Sequence, residues 1–279
     1  MVAKQILFVG NCQAGALIPV LKLTPADYLT TYVTCHTTTL NKTEFTSLLH
    51  NSDIIITQPL NDNYRNLDYL STNYIVNNAK DKIIIIFNSC YFNFYYPDLV
   101  YKQHNNALLQ EPIDYHYQYM IDNYTTGGSI EKYIKNCVIN KDLITRENLQ
   151  EKAKTSLDEL RVRDKNTTTS FCNQRNVYYI SISDFIEENY KDKLLFYSMN
   201  HPTKHLLQYI CEEINSILKI PNSIDYDVDP LNNPRCVLYE CLQPVVNFNV
   251  NDQNILTKTY TDPYSITNLY YETYKRVGL

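Results

Sequence analysis

The stretch Gln5-Ile6-Leu7-Phe8-Val9-Gly10-Asn11-Cys12-Gln13, continued by Ala14 to Leu23, changes its periodicity within a few residues. Gln5 to Val9 is a continuous apolar run that stops at Gly10. From Ala14 the apolar residues recur at helical spacing, interrupted only by Pro19. That succession reads as buried strand, tight turn and helix. Further along, Tyr28 to Val33 alternates like a strand, and Lys42 to His50 follows Asn41, a good helix N-cap. Asp53 to Thr57 is a second apolar run, Asn66 to Val76 has a helical pattern, and Lys82 to Phe87 carries four consecutive Ile. Short apolar runs separated by helical segments are the signature of a parallel sheet covered by helices. Residues 1–90 are therefore expected to be α/β.

Beyond Phe87 the aromatic and polar stretch Asn88 to Pro97 has no clean period. Helices are expected over Pro112 to Tyr124, Ser129 to Lys135, Arg146 to Arg163, and Asp184 to Lys191 with Ser183 as cap. A strand Leu194 to Tyr197 is expected to run into Asn200-His201-Pro202-Thr203, with Pro202 opening a helix to Leu218. The tail from Asp225 is rich in Pro and Asn, with a short segment from Cys236 to Val246 and a last helix from Tyr264 to Lys275. Without a repeat or a long linker, the reading is one domain over 1–279: a core of 4–218 and an extension, 219–279, packed on it.

The chain has 279 residues and a formal net charge of -5, which argues against a general nucleic-acid or anionic-membrane binder. Its 44% hydrophobic and 20% charged residues exclude a disordered chain. The apolar class is unusual in holding 26 Tyr and no Trp, and each buried Tyr hydroxyl needs a partner. Eight Cys without a Cys-x-x-Cys pair point to thiols in a reducing, cytoplasmic setting. The longest apolar stretch, Ile83 to Phe87, is far short of the roughly 18 residues of a membrane span. No Walker A or Gly-x-Gly-x-x-Gly motif occurs, which disfavours ATP and NAD chemistry, and the scattered His give no metal-site spacing.

Cys12 stands where a strand hands over to a helix. Unpaired N–H groups and the positive end of the helix dipole favour a thiolate there, and the same N–H groups can hold an oxyanion. The other reading of Cys12 is a small buried hydrophobe. His201, expected at the carboxyl edge of the same sheet, is a candidate general base. Gln58, just past a strand end, is either an amide donor to a developing oxyanion or a cap of that strand. His205, four residues on along the same helical face, reads as a solvated surface residue, with a supporting or phosphate contact as the alternative. The aromatic segment Tyr91 to Tyr96 either lines a pocket or packs beneath a loop.

Four short motifs in order carry a family resemblance: Gly10-Asn11-Cys12-Gln13, Gln58-Pro59 after the strand opening at Asp53, Tyr96-Pro97-Asp98, and Asn200-His201-Pro202-Thr203. Together, over about residues 4–218 and more loosely in the Tyr-rich last helix, the chain resembles the WcbI-type polysaccharide biosynthesis acetyltransferases. The resemblance implies a flavodoxin-like, three-layer fold like that of the Ser-Gly-Asn-His hydrolases, with Cys12 in the place of their nucleophilic Ser. It implies coenzyme A or acetyl-CoA as substrate and a sugar, nucleotide-sugar or glycan acceptor. Cys12, His201 and Gln58 fall on catalytic motif positions, and Gly10, Asn11, Gln13, Asn200 and Lys204 on the coenzyme-binding side. Lys204, with Arg161 and Arg163, is a source of positive charge for phosphates. Two features depart from the pattern. Asn88-Ser89-Cys90 replaces an expected Pro and small residues, and the position three before His201 holds Ser198 rather than an Asp. Two alternatives stay open: a thiol-dependent glycan esterase or deacetylase, and a non-catalytic glycan-binding module.

Overall fold

The computed structural model describes residues 2–220, 223–255 and 262–279, and the rest of the expected extension, 221–222 and 256–261, lies outside the described residues. Packing sorts the chain into two compact units. One comprises residues 1–90, 158–187 and 202–231, the other 91–157, 188–201 and 232–279.

The first unit is built on a five-stranded parallel sheet. Its strands are β1 (Lys4–Gly10), β2 (Tyr28–Thr34), β3 (Ile54–Thr57), β4 (Ile83–Phe87) and β5 (Val177–Ile180), in the order β2-β1-β3-β4-β5. The α/β class is the one expected from the alternation of strands and helices, and this strand order is the flavodoxin-like one that the family resemblance implies. Register places Leu7 beside Ile55 and Ile55 beside Ile84, so one face is a continuous aliphatic surface. Helices α2 (Lys42–Asn51) and α3 (Thr72–Asn78) cover it with Phe45, Leu49, Ile75 and Val76. Helix α1 (Cys12–Val20) packs against β1 and against the long helix Lys204–Leu218, which also contacts β5. Asn41 caps α2 as expected, in a capping box: the Glu44 N–H donates to its Oδ1, and the Asn41 N–H donates to the Glu44 carboxylate.

The second unit has little regular sheet. Leu99–Tyr101 pairs antiparallel with Tyr115–Tyr117, and Gln103–His104 with Ala107–Leu108 across Asn105-Asn106. Both turn residues take left-handed φ, the type I′ geometry that Asn tolerates. The unit's interior is where the tyrosines find their partners. Tyr95 Oη donates to the carbonyls of Tyr190 and Lys193, Tyr96 Oη to that of Phe196, and Tyr270 Oη to that of Tyr115. Tyr133 and Tyr239 share a hydrogen bond, and Tyr239 Oη donates to Asp98.

Several expected elements differ. Asn66 to Val76 is not one helix: Arg65 and Asn66 take positive φ within a short 3-10 turn, a second 3-10 turn follows at Asp68–Leu70, and the helix starts afresh at Thr72 with Ser71 as cap. Pro112 to Tyr124 divides into the strand Tyr115–Tyr117 and the helix Gln118–Thr125, because strand pairing claims its first half. The helix expected to end at Arg163 runs over Arg146–Phe171 and contributes to both units. Leu194 to Tyr197 is buried but is no sheet strand. Its backbone turns back so that the Tyr197 N–H donates to the His201 carbonyl. The fifth strand is instead Val177–Ile180, an edge strand whose exposed Tyr178 breaks the apolar run. The helix after His201 begins at Lys204 with Thr203 at its N-cap position, so Pro202 precedes the helix rather than opening it.

Candidate active site

In the sheet order, β2 and β3 lie on opposite sides of β1, so the chain reverses direction across the sheet there. In open α/β sheets, ligands gather beyond the carboxyl ends of the strands at this switch point. The turn Gly10-Asn11-Cys12 leaves β1 at this place, and Gln58 leaves β3 beside it, its N–H donating to the Val9 carbonyl.

Two buried amides build the turn. Gln58 Oε1 accepts from the Asn11 N–H (2.8 Å), and its Nε2 donates to Gln13 Oε1 (2.9 Å). Gln13 in turn holds the backbone of Cys90 by both ends of its amide: Oε1 accepts from the Cys90 N–H at 2.8 Å, and Nε2 donates to the Cys90 carbonyl at 2.9 Å. Gln13 and Gln58 are each 1% exposed, so they act as ties between the ends of β1, β3 and β4. Gly10 is required by closeness: a Cβ there would stand 2.5 Å from Gln58 Oε1 and 2.8 Å from the Ala14 Cβ. Asn11 Oδ1 accepts from the Gln13 N–H and caps α1, while Tyr32 Oη donates to the Asn11 carbonyl.

Cys12, the first residue of α1, is the product of this scaffolding. Six of the eight cysteines are buried, Cys172 is half-buried, and Cys12 is exposed. The thiol pKa is nevertheless raised: desolvation by the surrounding protein outweighs the backbone N–H groups of Gln13 and Cys12, which pull it down. The helix-end expectation of a favoured thiolate identified the lowering influence correctly but missed the larger opposing one.

His201 belongs to the second unit and does not follow a sheet strand. It sits at a turn organised by Ser198, whose hydroxyl accepts from the Asn200 and His201 N–H groups. Ser198 thus orders the His201 backbone at the position where an Asp was sought. Asn200 Oδ1 accepts from Tyr115 Oη (2.6 Å), its Nδ2 donates to Tyr101 Oη (2.9 Å), and Tyr115 meets the His201 ring edge-on. Burial lowers the imidazole pKa, countered in part by Asp114, so the neutral form prevails at pH 7. Lys204 Nζ donates to the Tyr226 carbonyl. Arg161 pairs with Asp184 and Glu187, and Arg163 with Glu159. His205 is half-buried rather than fully solvated. Phe92, Phe94 and Tyr95 pack on one another, the core alternative for the aromatic segment.

The sequence reading missed Arg65. Its Nη1 donates to the carbonyls of Cys35 (3.0 Å) and Thr38 (3.4 Å), and the Cys35 N–H donates to the Gly10 carbonyl, so an exposed guanidinium stands near the Cys12 turn. Only the strained φ at Arg65 and Asn66 marks it, and that is invisible in sequence. Among the described residues no cluster of His, Cys, Asp or Glu is arranged to hold a metal, and no helix is long and apolar enough to cross a membrane.

The chain resembles a solved structure of WcbI, described as a novel polysaccharide biosynthesis enzyme in native form without a disulfide bond between coenzyme A and one of its cysteines. The TM-score is 0.75 at 20% identity, covering 98% of this chain and 90% of that one, a likeness of fold. No curated protein matches. The family model for the polysaccharide biosynthesis enzyme WcbI matches residues 5–223, which take in the switch-point turn, Gln58 and the segment around His201. With that match spanning most of its length, the chain belongs to the WcbI family of polysaccharide biosynthesis enzymes.

Proposed function

We propose that the chain transfers an acetyl group from acetyl-CoA to a sugar hydroxyl or amine during surface or capsular polysaccharide synthesis, in the cytoplasm. The observation that carries this is the single exposed cysteine, Cys12, held at the sheet's switch point by buried amides. The similar WcbI structure, described as native protein without a disulfide bond between coenzyme A and one of its cysteines, supports coenzyme A as the partner of such a thiol.

In the proposed reaction the minor thiolate form of Cys12, its proton released to water, attacks the thioester carbonyl of acetyl-CoA. The tetrahedral oxyanion is stabilised by the positive end of the α1 dipole, the Asn11 and Gln13 N–H groups being engaged by Gln58 and Asn11, and coenzyme A leaves as its thiolate. The acceptor oxygen or nitrogen then attacks the acetyl-cysteine, its proton passes to neutral His201, and Cys12 is released as thiolate. Gln58 and Gln13 act by holding the turn rather than by touching the reacting atoms. Arg65, with Nη2 and Nε unengaged among the described residues, is the proposed contact for coenzyme A phosphates, ahead of Lys204.

Mass spectrometry of the His201→Ala variant mixed with acetyl-CoA is expected to show an acetyl group on Cys12 that Cys12→Ala lacks. If calorimetry shows coenzyme A binding but no adduct forms, acetyl passes directly to the acceptor and Cys12 only shapes the site. No coenzyme A affinity would favour the esterase alternative.

A further inference from the structure

A cavity of about 340 Å³ opens in the first unit at the carboxyl ends of β3 and β4. This is at the low end of the roughly 300–1,000 Å³ of small-molecule sites. Pro59 and Asn88 line it, and Gln58, next to Pro59, and Cys90, two residues past Asn88, are tied to Gln13, the residue after Cys12. Arg163, Asn166 and Ser89 complete most of the wall.

Asn88 is the fixed point of this cavity. It is 3% exposed, and its Nδ2 donates to Asp164 Oδ1 (2.6 Å) and to Tyr179 Oη. Tyr179 Oη itself donates to Asp164, so the orientation of the Asn88 amide is chemically determined: both partners require a donor from it. Ser181 and Ser183 donate to the other Asp164 oxygen, holding the carboxylate from behind. The anchored amide leaves Oδ1 as the acceptor that Asn88 offers to a ligand. Arg163 brings donors, yet Glu159 lies 3.6 Å from its guanidinium and offsets its charge, and no other cation lines the cavity. Amides, hydroxyls and a compensated guanidinium match a neutral polyhydroxylated ligand better than a phosphate, and the Pro59 ring supplies an apolar face for sugar C–H groups.

We propose that this cavity binds a neutral monosaccharide unit of the acceptor, with Asn88 Oδ1 accepting from a sugar hydroxyl and Asp164 acting as the positioning residue behind it. The proposal rests on the acetyltransferase reading for its place in the reaction, but its test is independent. Glucose, galactose, mannose and N-acetylglucosamine are titrated into the full-length protein by saturation-transfer NMR, with coenzyme A affinity measured in parallel. At least one sugar is expected to bind. Asn88→Ala is expected to weaken it about three- to tenfold, the worth of one lost hydrogen bond, while coenzyme A affinity stays unchanged. Arg163→Gln, on the exposed rim, gives a second variant that does not disturb the core and should also weaken sugar binding. The proposal is overturned if no sugar binds to protein that binds coenzyme A, if neither variant alters sugar binding, or if glucose 1-phosphate binds far more tightly than glucose. Asn88-dependent sugar binding without coenzyme A affinity would uphold the cavity and sink the acetyltransferase reading.

Discussion

The two units bury themselves by different chemistry. The first stacks aliphatic strands, with Ile55, Ile56, Ile84, Ile85 and Ile86 all fully buried, and needs no polar partner for any of those side chains. The second fills its interior with Tyr95, Tyr96, Tyr117, Tyr133, Tyr239, Tyr270 and Tyr274, whose hydroxyls depend on carbonyls and side chains far away in sequence. An aliphatic core is secured by area and shape, whereas a tyrosine core is secured by area together with a complete set of hydrogen bonds. The first kind therefore fails through cavities and the second through single unsatisfied polar atoms.

Substitutions chosen to separate these modes rank as follows. Ile85→Ala leaves a cavity in the middle of the sheet and is expected to cost about 2–5 kcal/mol in denaturant unfolding, independent of pH. Asp98 is next. Burial holds its carboxyl at about 6 in the folded chain, against an ordinary 3.8, and its Oδ1 is buried without a hydrogen-bond partner among the described residues. A raised acid pKa means that the folded form keeps its proton longer than the unfolded form. Stability from this group is thus full below about pH 4 and is lost as pH rises through about 6, by up to roughly 3 kcal/mol. Asp98→Asn should therefore gain on the wild type between pH 4 and pH 8, and a difference constant with pH would break the account. Tyr95→Phe keeps the ring but strands the Tyr190 and Lys193 carbonyls, at an expected cost of about 1–3 kcal/mol. An equal loss for a conservative change at Ile85, such as Ile85→Val, would erase the contrast between the cores. Smallest in energy is the Cys12 thiol itself. Because its pKa is raised, alkylation by iodoacetamide should still be climbing at pH 9, and a plateau near pH 7 would show that the helix end outweighs burial.

The same contrast explains what the sequence made legible. β1, β3 and β4 announce themselves because both of their faces are covered, which demands continuous apolar runs. Strand β5 escapes because Tyr178 is exposed at the sheet edge, and Leu194 to Tyr197 misleads because burial among aromatic rings produces the same apolar run as a sheet does. Cys12 is legible from the strand-to-helix change of period alone. Arg65, the Asn88–Asp164 couple and the inward-facing roles of Gln13 and Gln58 are not, since each depends on atoms brought together across 30 to 77 residues of chain.

By itself, then, the sequence determined the α/β class, the capped helix at Asn41, and a cysteine at the end of the first strand. Those follow from local period and local hydrogen bonding. Tertiary structure alone decided the order of the strands, which of eight thiols meets solvent, how burial shifts Cys12 and His201, and how the tyrosine hydroxyls are satisfied. Strand order depends on non-local pairing, and electrostatic environment on everything packed around a group, neither of which is a property of neighbouring residues.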